Sequence, residues 1–139
     1  MSLTLAIIKP DAVAAGYSGK IISHLEAEGF KVCAMRMARL NRTQARAFYE
    51  VHEGRPFFDD LVEFMTSGPV IPTVLEADDA VRRLRDTIGA TDPDEADEGT
   101  IRKLYAESKG RNAIHASDSD ENAGIEINFF FSDFERLNL

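Results

Sequence analysis

The sequence predicts an α+β fold, and three observations carry that prediction. Short apolar segments of strand length alternate with segments whose apolar residues recur at helical spacing. Their order is strand, helix, strand, helices, strand, helix. The chain has 139 residues, 44% of them hydrophobic, which is enough for one buried core. It is therefore read as a single domain over residues 1–139.

The segment "LTLAIIK", Leu3 to Lys9, reads as a buried strand that Pro10 ends. Ser18 is a candidate cap for a helix carrying Ile21, Ile22 and Leu25 on one face, with Gly29 as its stop. "KVCAMRMARL", Lys31 to Leu40, reads as a second strand of imperfect alternation. Ala45, Phe48, Tyr49 and His52 follow helical spacing, as do Phe58, Leu61, Val62 and Met65. "VIPTVLE", Val70 to Glu76, reads as a third strand whose Pro72 suggests an edge or a bulge. A helix over about Asp78 to Ile88 stacks Val81, Leu84 and Ile88. A last helix, from about Ser119 to Phe131, carries Ala123, Ile127, Phe130 and Phe131. A short strand at Ala113 to His115 would complete a βαββαβ plan, the ferredoxin-like arrangement. That plan is an antiparallel sheet with helices on one face; the helices between the second and third strands are additions to it.

Composition narrows the function. The net charge of −8 disfavours nucleic-acid binding, which needs a basic surface. Much of the excess acid sits in "TDPDEADEGT", Thr91 to Thr100, which reads as a solvated loop. No apolar run reaches the length of a membrane span. The apolar start is too short, and wrongly flanked by Lys9, Pro10 and Asp11, for a signal peptide. Cys33 is the single cysteine, so no internal disulfide can form, and the cytoplasm is the default compartment.

Several templates fail. "GYSGK", Gly16 to Lys20, lacks the first glycine spacing and the final Ser/Thr of a P-loop. "DSDENAG", from Asp118, puts Ala123 and Phe129 where a calcium loop needs Gly and Glu. No paired Cys or His spacing suits zinc. Two charges are oddly placed. At 100° per residue, Arg85 borders the Val81/Leu84/Ile88 stripe, and Glu126 borders the stripe of Ala123, Ile127 and Phe130. Most such charges snorkel; if both enter a cleft, they bring opposite signs to one place. His115, in "GRNAIHASDSDENAG", stands among small and acidic residues and alone would read as a loop histidine.

The segments "IIKPDAV", "YEVHEGRPFFDDLVEFMTSGPV", "GATDP", "GTIR" and "NAIHASDS" occur in an order and spacing that resembles the nucleoside diphosphate kinase family. The resemblance covers roughly Leu5 to Phe131, and N-x-x-H-x-S-D is its most specific part. It implies a ping-pong transfer of the γ-phosphate of a nucleoside triphosphate, with ATP as a donor, to a nucleoside diphosphate through phosphorylated His115. It implies that Lys9, Arg85 and Arg102 meet the phosphates, with Thr91 adding a hydroxyl, and that Tyr49 lies near the transferring group. Phe57 would stack on the base, Asn112 and Lys9 would hold the ribose, and Ser117 and Glu126 would orient His115. Mg²⁺ would arrive on the nucleotide with no direct protein ligands. The resemblance also implies a homo-oligomer, a hexamer over a tetramer, with the loop around Pro93 in the packing. Ala116 departs from the family's usual glycine; if that position needs positive φ, alanine costs about 1 kcal/mol. The tail "SDFERLNL" matches no family pattern. A binding module without turnover would be marked by loss of the histidine or of a phosphate-binding arginine, and every matched position is present; a phosphocarrier served by another protein would not need Phe57, Arg85 and Arg102 around the histidine.

Overall fold

The computed structural model describes residues 1–137. Strands β1 (Ser2–Ile8), β2 (Lys31–Met35), β3 (Ile71–Ala77) and β4 (Ile114–Ala116) form one antiparallel sheet in the order β2-β3-β1-β4. Helices α1 (Pro10–Ala14), α2 (Ser18–Ala27), α3 (Arg42–Phe48), α4 (Phe58–Met65), α5 (Ala80–Ile88), α6 (Ile101–Tyr105), α7 (Asp120–Phe130) and α8 (Asp133–Arg136) surround it. The order is the βαββαβ plan, with α3 and α4 inserted between β2 and β3.

β1 has apolar side chains on both faces because both are covered. Ala6 and Ile8 pack with Ile21 and Leu25 of α2 and Leu84 and Ile88 of α5. Leu5 and Ile7 face the other way, with Ala45 of α3, Val62 and Met65 of α4 and Ile127 of α7. The two crossover helices thus take one face, as predicted, while the inserted helices and α7 fill the second. Each fully buried Leu or Ile contributes about 1.5–3 kcal/mol.

Local chemistry sets most boundaries. Gly29, at φ +95°, closes α2: its N–H reaches the Glu26 carbonyl, and the Phe30 N–H reaches that of Leu25. Ser18 is the first residue of α2, not its cap, and its side chain makes no capping bond. Asn41 and Gln44 form a capping box on α3. Ser119 caps α7 by accepting from the Asn122 N–H. Pro10 ends β1 and then opens α1, where a missing N–H costs nothing.

Two strand expectations need correction. β2 ends at Met35 instead of Leu40, with only an isolated bridge, Ala38 to Val70, beyond it. Pro72 is on neither an edge nor a bulge: β3 is interior, and the register break lies at Val32/Ala34. The two facts share a cause. The Pro72 carbonyl accepts the Arg36 N–H, but proline has no N–H to return, so the β2–β3 ladder stops there. Ala116 lies within β4 opposite Ala6, and positive φ in non-glycine residues occurs, among the described residues, at Asp79 and Ala113. Alanine at 116 therefore carries no backbone strain. Of the unmatched tail, Asn138 and Leu139 lie outside the described residues. Among the described residues no helix is long and apolar enough to cross a membrane.

Candidate active site

His115 is the middle residue of β4 and pairs with Ile7 of β1. Side chains opposite each other share a face, so His115 emerges on the side of α3, α4 and α7. Phe48 and Tyr49 present ring edges to its imidazole at centroid distances of 5.4 and 6.0 Å. Ser117 is two residues on, and so points the same way. One carboxylate serves both: Glu126 Oε1 lies 2.7 Å from His115 Nε2 and accepts the Ser117 hydroxyl at 2.7 Å. Glu126 borders its helical stripe because it reaches sideways from α7 to β4.

That contact assigns the tautomer. A carboxylate only accepts, so Nε2 carries the proton and Nδ1 holds the lone pair. Nδ1 has no hydrogen-bond partner among the described residues. Burial holds His115 below the usual histidine range, although Glu126 pulls the other way; Lys9 and Arg102 lower it further. The imidazole is therefore neutral at pH 7.

The outer edge of β4 is taken by two arginines. Carbonyls 114 and 116 alternate away from β1. Arg102, from α6, donates to the Ile114 carbonyl at 2.8 Å and to the Gly89 carbonyl at 3.1 Å. Arg85, from α5, donates to the Ala116 carbonyl at 3.2 Å. Arg85 thus borders its stripe because it turns toward β4. Arg102 is buried, with an Nε that has no partner, and burial beside Arg85 lowers it to about 10. A third cation, Lys9, lies 8% exposed just past the end of β1 and donates to Asn112 Oδ1 at 2.8 Å. Burial, then Arg102, lowers Lys9 to about 8, with Asp11 opposing.

These side chains line a cleft of ≈ 830 Å³ together with Tyr49, Phe57, Thr91 and Asn112. Ser117 sits behind it, fully buried, acting through Glu126. The Tyr49 hydroxyl is buried without a partner, and burial, then the Glu126 charge, raises it far above the usual tyrosine range, so it stays a neutral donor. Phe57, at the start of α4, is 46% exposed and meets the His52 ring at 5.2 Å. Thr91 is exposed, and its carbonyl accepts from Asn112 Nδ2 at 3.4 Å. The fold therefore brings all ten residues singled out in the sequence to one place. It adds Phe48 and His52, which sequence spacing had marked only as helical-face positions; Asp11 does not line the cleft but lies against the Ala113 backbone beside it. Among the described residues no group of three or more His, Cys, Asp or Glu could hold a metal ion.

Comparison with known proteins agrees with this geometry. The family model described as nucleoside diphosphate kinase matches residues 2–136. The nucleoside diphosphate kinase of Persephonella marina is 52% identical over 95% of this chain and 94% of its own length. That of Chloroherpeton thalassium is 56% identical over 99% and 97%. The solved nucleoside diphosphate kinase of Aquifex aeolicus superposes with a TM-score of 0.94 at 50% identity, covering 96% of this chain and 97% of its own. The halophilic enzyme of Halobacterium salinarum, solved in complex with CDP, gives 0.92 at 42% identity, covering 96% and 90%. The chain belongs to the nucleoside diphosphate kinase family and is a phosphotransferase, moving the γ-phosphate of a nucleoside triphosphate to a nucleoside diphosphate.

Proposed function

We propose that the transfer in this chain runs through Nδ1 of His115. The observation that carries the reading is the 2.7 Å contact of Nε2 with Glu126, which leaves a neutral Nδ1 lone pair in a cleft whose lining includes the cations Lys9, Arg85 and Arg102. In the first step Nδ1 attacks the γ-phosphorus. The N–P bond forms, the bond to the bridging oxygen breaks, and that electron pair leaves with the nucleoside diphosphate. The ring becomes cationic, and Glu126 stabilises it without taking the proton. In the second step a terminal oxygen of the acceptor diphosphate attacks the phosphorus. The N–P bond breaks and its electrons return to Nδ1. One site serves donor and acceptor in turn.

Phosphoryl transfer asks the protein mainly to position groups and balance charge. Arg85 and Arg102 are pre-oriented by β4 carbonyls, so their remaining N–H groups can meet phosphate oxygens at little entropic cost. Lys9 and Asn112, already joined, would receive the ribose hydroxyls; Thr91 and Tyr49 add hydroxyl donors. Phe57 would stack on the base. The cationic lining and scattered carboxylates suit a Mg²⁺ held by phosphate oxygens. When bound it supplies charge neutralisation at the phosphates. The match over residues 2–136 supports reading the chain as one such domain, and the cytoplasm remains the expected compartment. A homo-oligomer is supported by the edge strand β2 and the segment after it, which expose Met35 and Met37 at 51% and 63%; a hexamer over a tetramer is the expectation from the resemblance, and a stable monomer in light scattering would overturn the oligomer. The nucleophile is tested by ATP and Mg²⁺ labelling. The expected product is an acid-labile, base-stable phosphoramidate on His115, and a wild-type enzyme that turns over with no label there overturns the assignment.

A further inference from the structure

Asp11 is a buried carboxylate that the mechanism above does not use. It lies in the first turn of α1, 5% exposed. Its Oδ2 accepts the Ala113 N–H at 3.0 Å, and its Oδ1 is buried with no partner. Ala113 is itself unusual. Its φ is +74°, a region that non-glycine residues rarely enter. Across it the Ile114 N–H donates to the Asn112 carbonyl at 2.9 Å, which makes residues 112 to 114 a three-residue γ-turn of the rare, strained kind. Such a conformation persists only where its surroundings over-determine it. Here they do so from one short segment: the Lys9 N–H holds the Ala113 carbonyl at 2.9 Å, and the Asp11 carboxylate holds the Ala113 N–H.

Ala113, at the centre of this turn, separates two functional side chains: Asn112 precedes it and His115 follows it by two residues. Releasing the Ala113 peptide would let the turn relax toward ordinary φ and rotate the start of β4, carrying the imidazole with it. The Ile114 carbonyl, which Arg102 grips, would move as well. Charge couples the same carboxylate to the cleft, because Asp11 acts on the Lys9 ammonium.

We propose that Asp11 is a positioning residue for phosphoryl transfer: its carboxylate locks the Ala113 turn and so sets His115 against the phosphate held by the cations. The inference rests on the reading of His115 as the phosphoryl carrier. It explains why a carboxylate is kept in a buried place where one of its oxygens goes unsatisfied, a costly arrangement for packing alone. The ionisable groups facing Lys9 are Asp11 from α1, Arg102 from α6 and His115 from β4.

The test is the rate at which ATP and Mg²⁺ label the full-length enzyme, compared with steady-state constants, for wild type, Asp11→Ala and Asp11→Asn. Asp11→Ala removes the acceptor. It is expected to slow labelling at saturating ATP about a hundredfold, the cost of a misplacement of ~1 Å, while changing KM much less. Asp11→Asn keeps an acceptor for Ala113 and loses the charge. It is expected to stay within about tenfold of wild type and to move the alkaline limb of kcat/KM below the wild-type value set by Lys9. A purely structural role would lower Tm in both variants and leave that limb in place. Asp11→Ala labelled within threefold of wild type, or an unmoved limb in Asp11→Asn, overturns the inference. If Asp11→Ala does not fold, amide exchange in the wild-type protein takes its place: the Ala113 N–H should exchange as slowly as β4, and exchange at loop rates overturns the proposal. Absence of label on wild-type His115 would instead overturn the nucleophile assignment, so the two failures are distinguishable.

Discussion

The two walls of the cleft are built on different principles. The inner wall, Lys9, Arg85, Arg102, Asn112 and His115, is fastened to backbone or to neighbouring side chains by hydrogen bonds of 2.7 to 3.2 Å. The outer wall, Tyr49, His52 and Phe57, is a run of aromatic rings from the α3–α4 insertion, touching at centroid distances of 5.2 and 6.3 Å. Hydrogen bonds fix direction, whereas ring contacts mostly fix area. On the proposed reading, the comparison teaches that geometry is enforced where phosphate charge would be met and relaxed where any base would fit. Substitutions on the inner wall should cost rate, and those on the outer wall should cost binding.

The largest expected effect is at the nucleophile. His115→Ala should lose about four orders of magnitude or more in turnover, because no second nucleophile is set between the cations. A mutant with a tenth of wild-type activity would break the inner-wall description at its centre. Next comes Arg85→Lys. The ammonium keeps the charge but cannot bond the Ala116 carbonyl and a phosphate in one plane. A loss of about 10- to 100-fold in kcat/KM is expected, matching ~1.5–3 kcal/mol for a charged hydrogen bond; kinetics within twofold of wild type would remove the fork from the mechanism.

On the outer wall, Phe57→Ala should raise KM about tenfold for every base alike, since stacking is worth ~1–3 kcal/mol and is blind to base identity. For wild type, GDP, CDP, UDP and dTDP should differ by no more than about two orders of magnitude in kcat/KM. A thousandfold preference for one of them would mean that a polar group on this wall reads a base edge. The smallest effect is the pH response. Lys9 is charged below, and neutral above, its lowered value of about 8. Raising the pH would therefore remove a cation from the cleft, and kcat/KM should fall to half its plateau near pH 8. On the acid side His115 must lose a proton to react, and its depressed range places that limb below the ordinary histidine value. A flat profile from pH 7 to 9 would show that Lys9 is not needed as an ammonium.

The elements differ in how far they could be read in advance. β1 was legible because a strand buried on both faces reads as a near-continuous apolar run, here broken only by Ser2 and Thr4. α5 was legible through its stripe, and α7 through Ser119 and its own stripe. Helices α1, α6 and α8 were not, since four or five residues make barely one turn and show no period. Pro72 misled because its missing N–H was taken to mark an edge; it instead ends the pairing of one neighbour while the other continues.

By itself the sequence determined the order of strands and helices and the composition of the core, which rest on local periodicity. The ten site residues were named by its resemblance to the nucleoside diphosphate kinase family, carried by spaced motifs that chain order preserves. Only the tertiary structure decided that β4 pairs with β1, that Glu126 bridges His115 and Ser117, and that Asp11 reaches Ala113. Those contacts join residues 11, 9 and 102 positions apart in the chain. A positive φ at Ala113 is likewise invisible in the letter A, because it is held by neighbours from the other end of the chain and not by the residue's own preference.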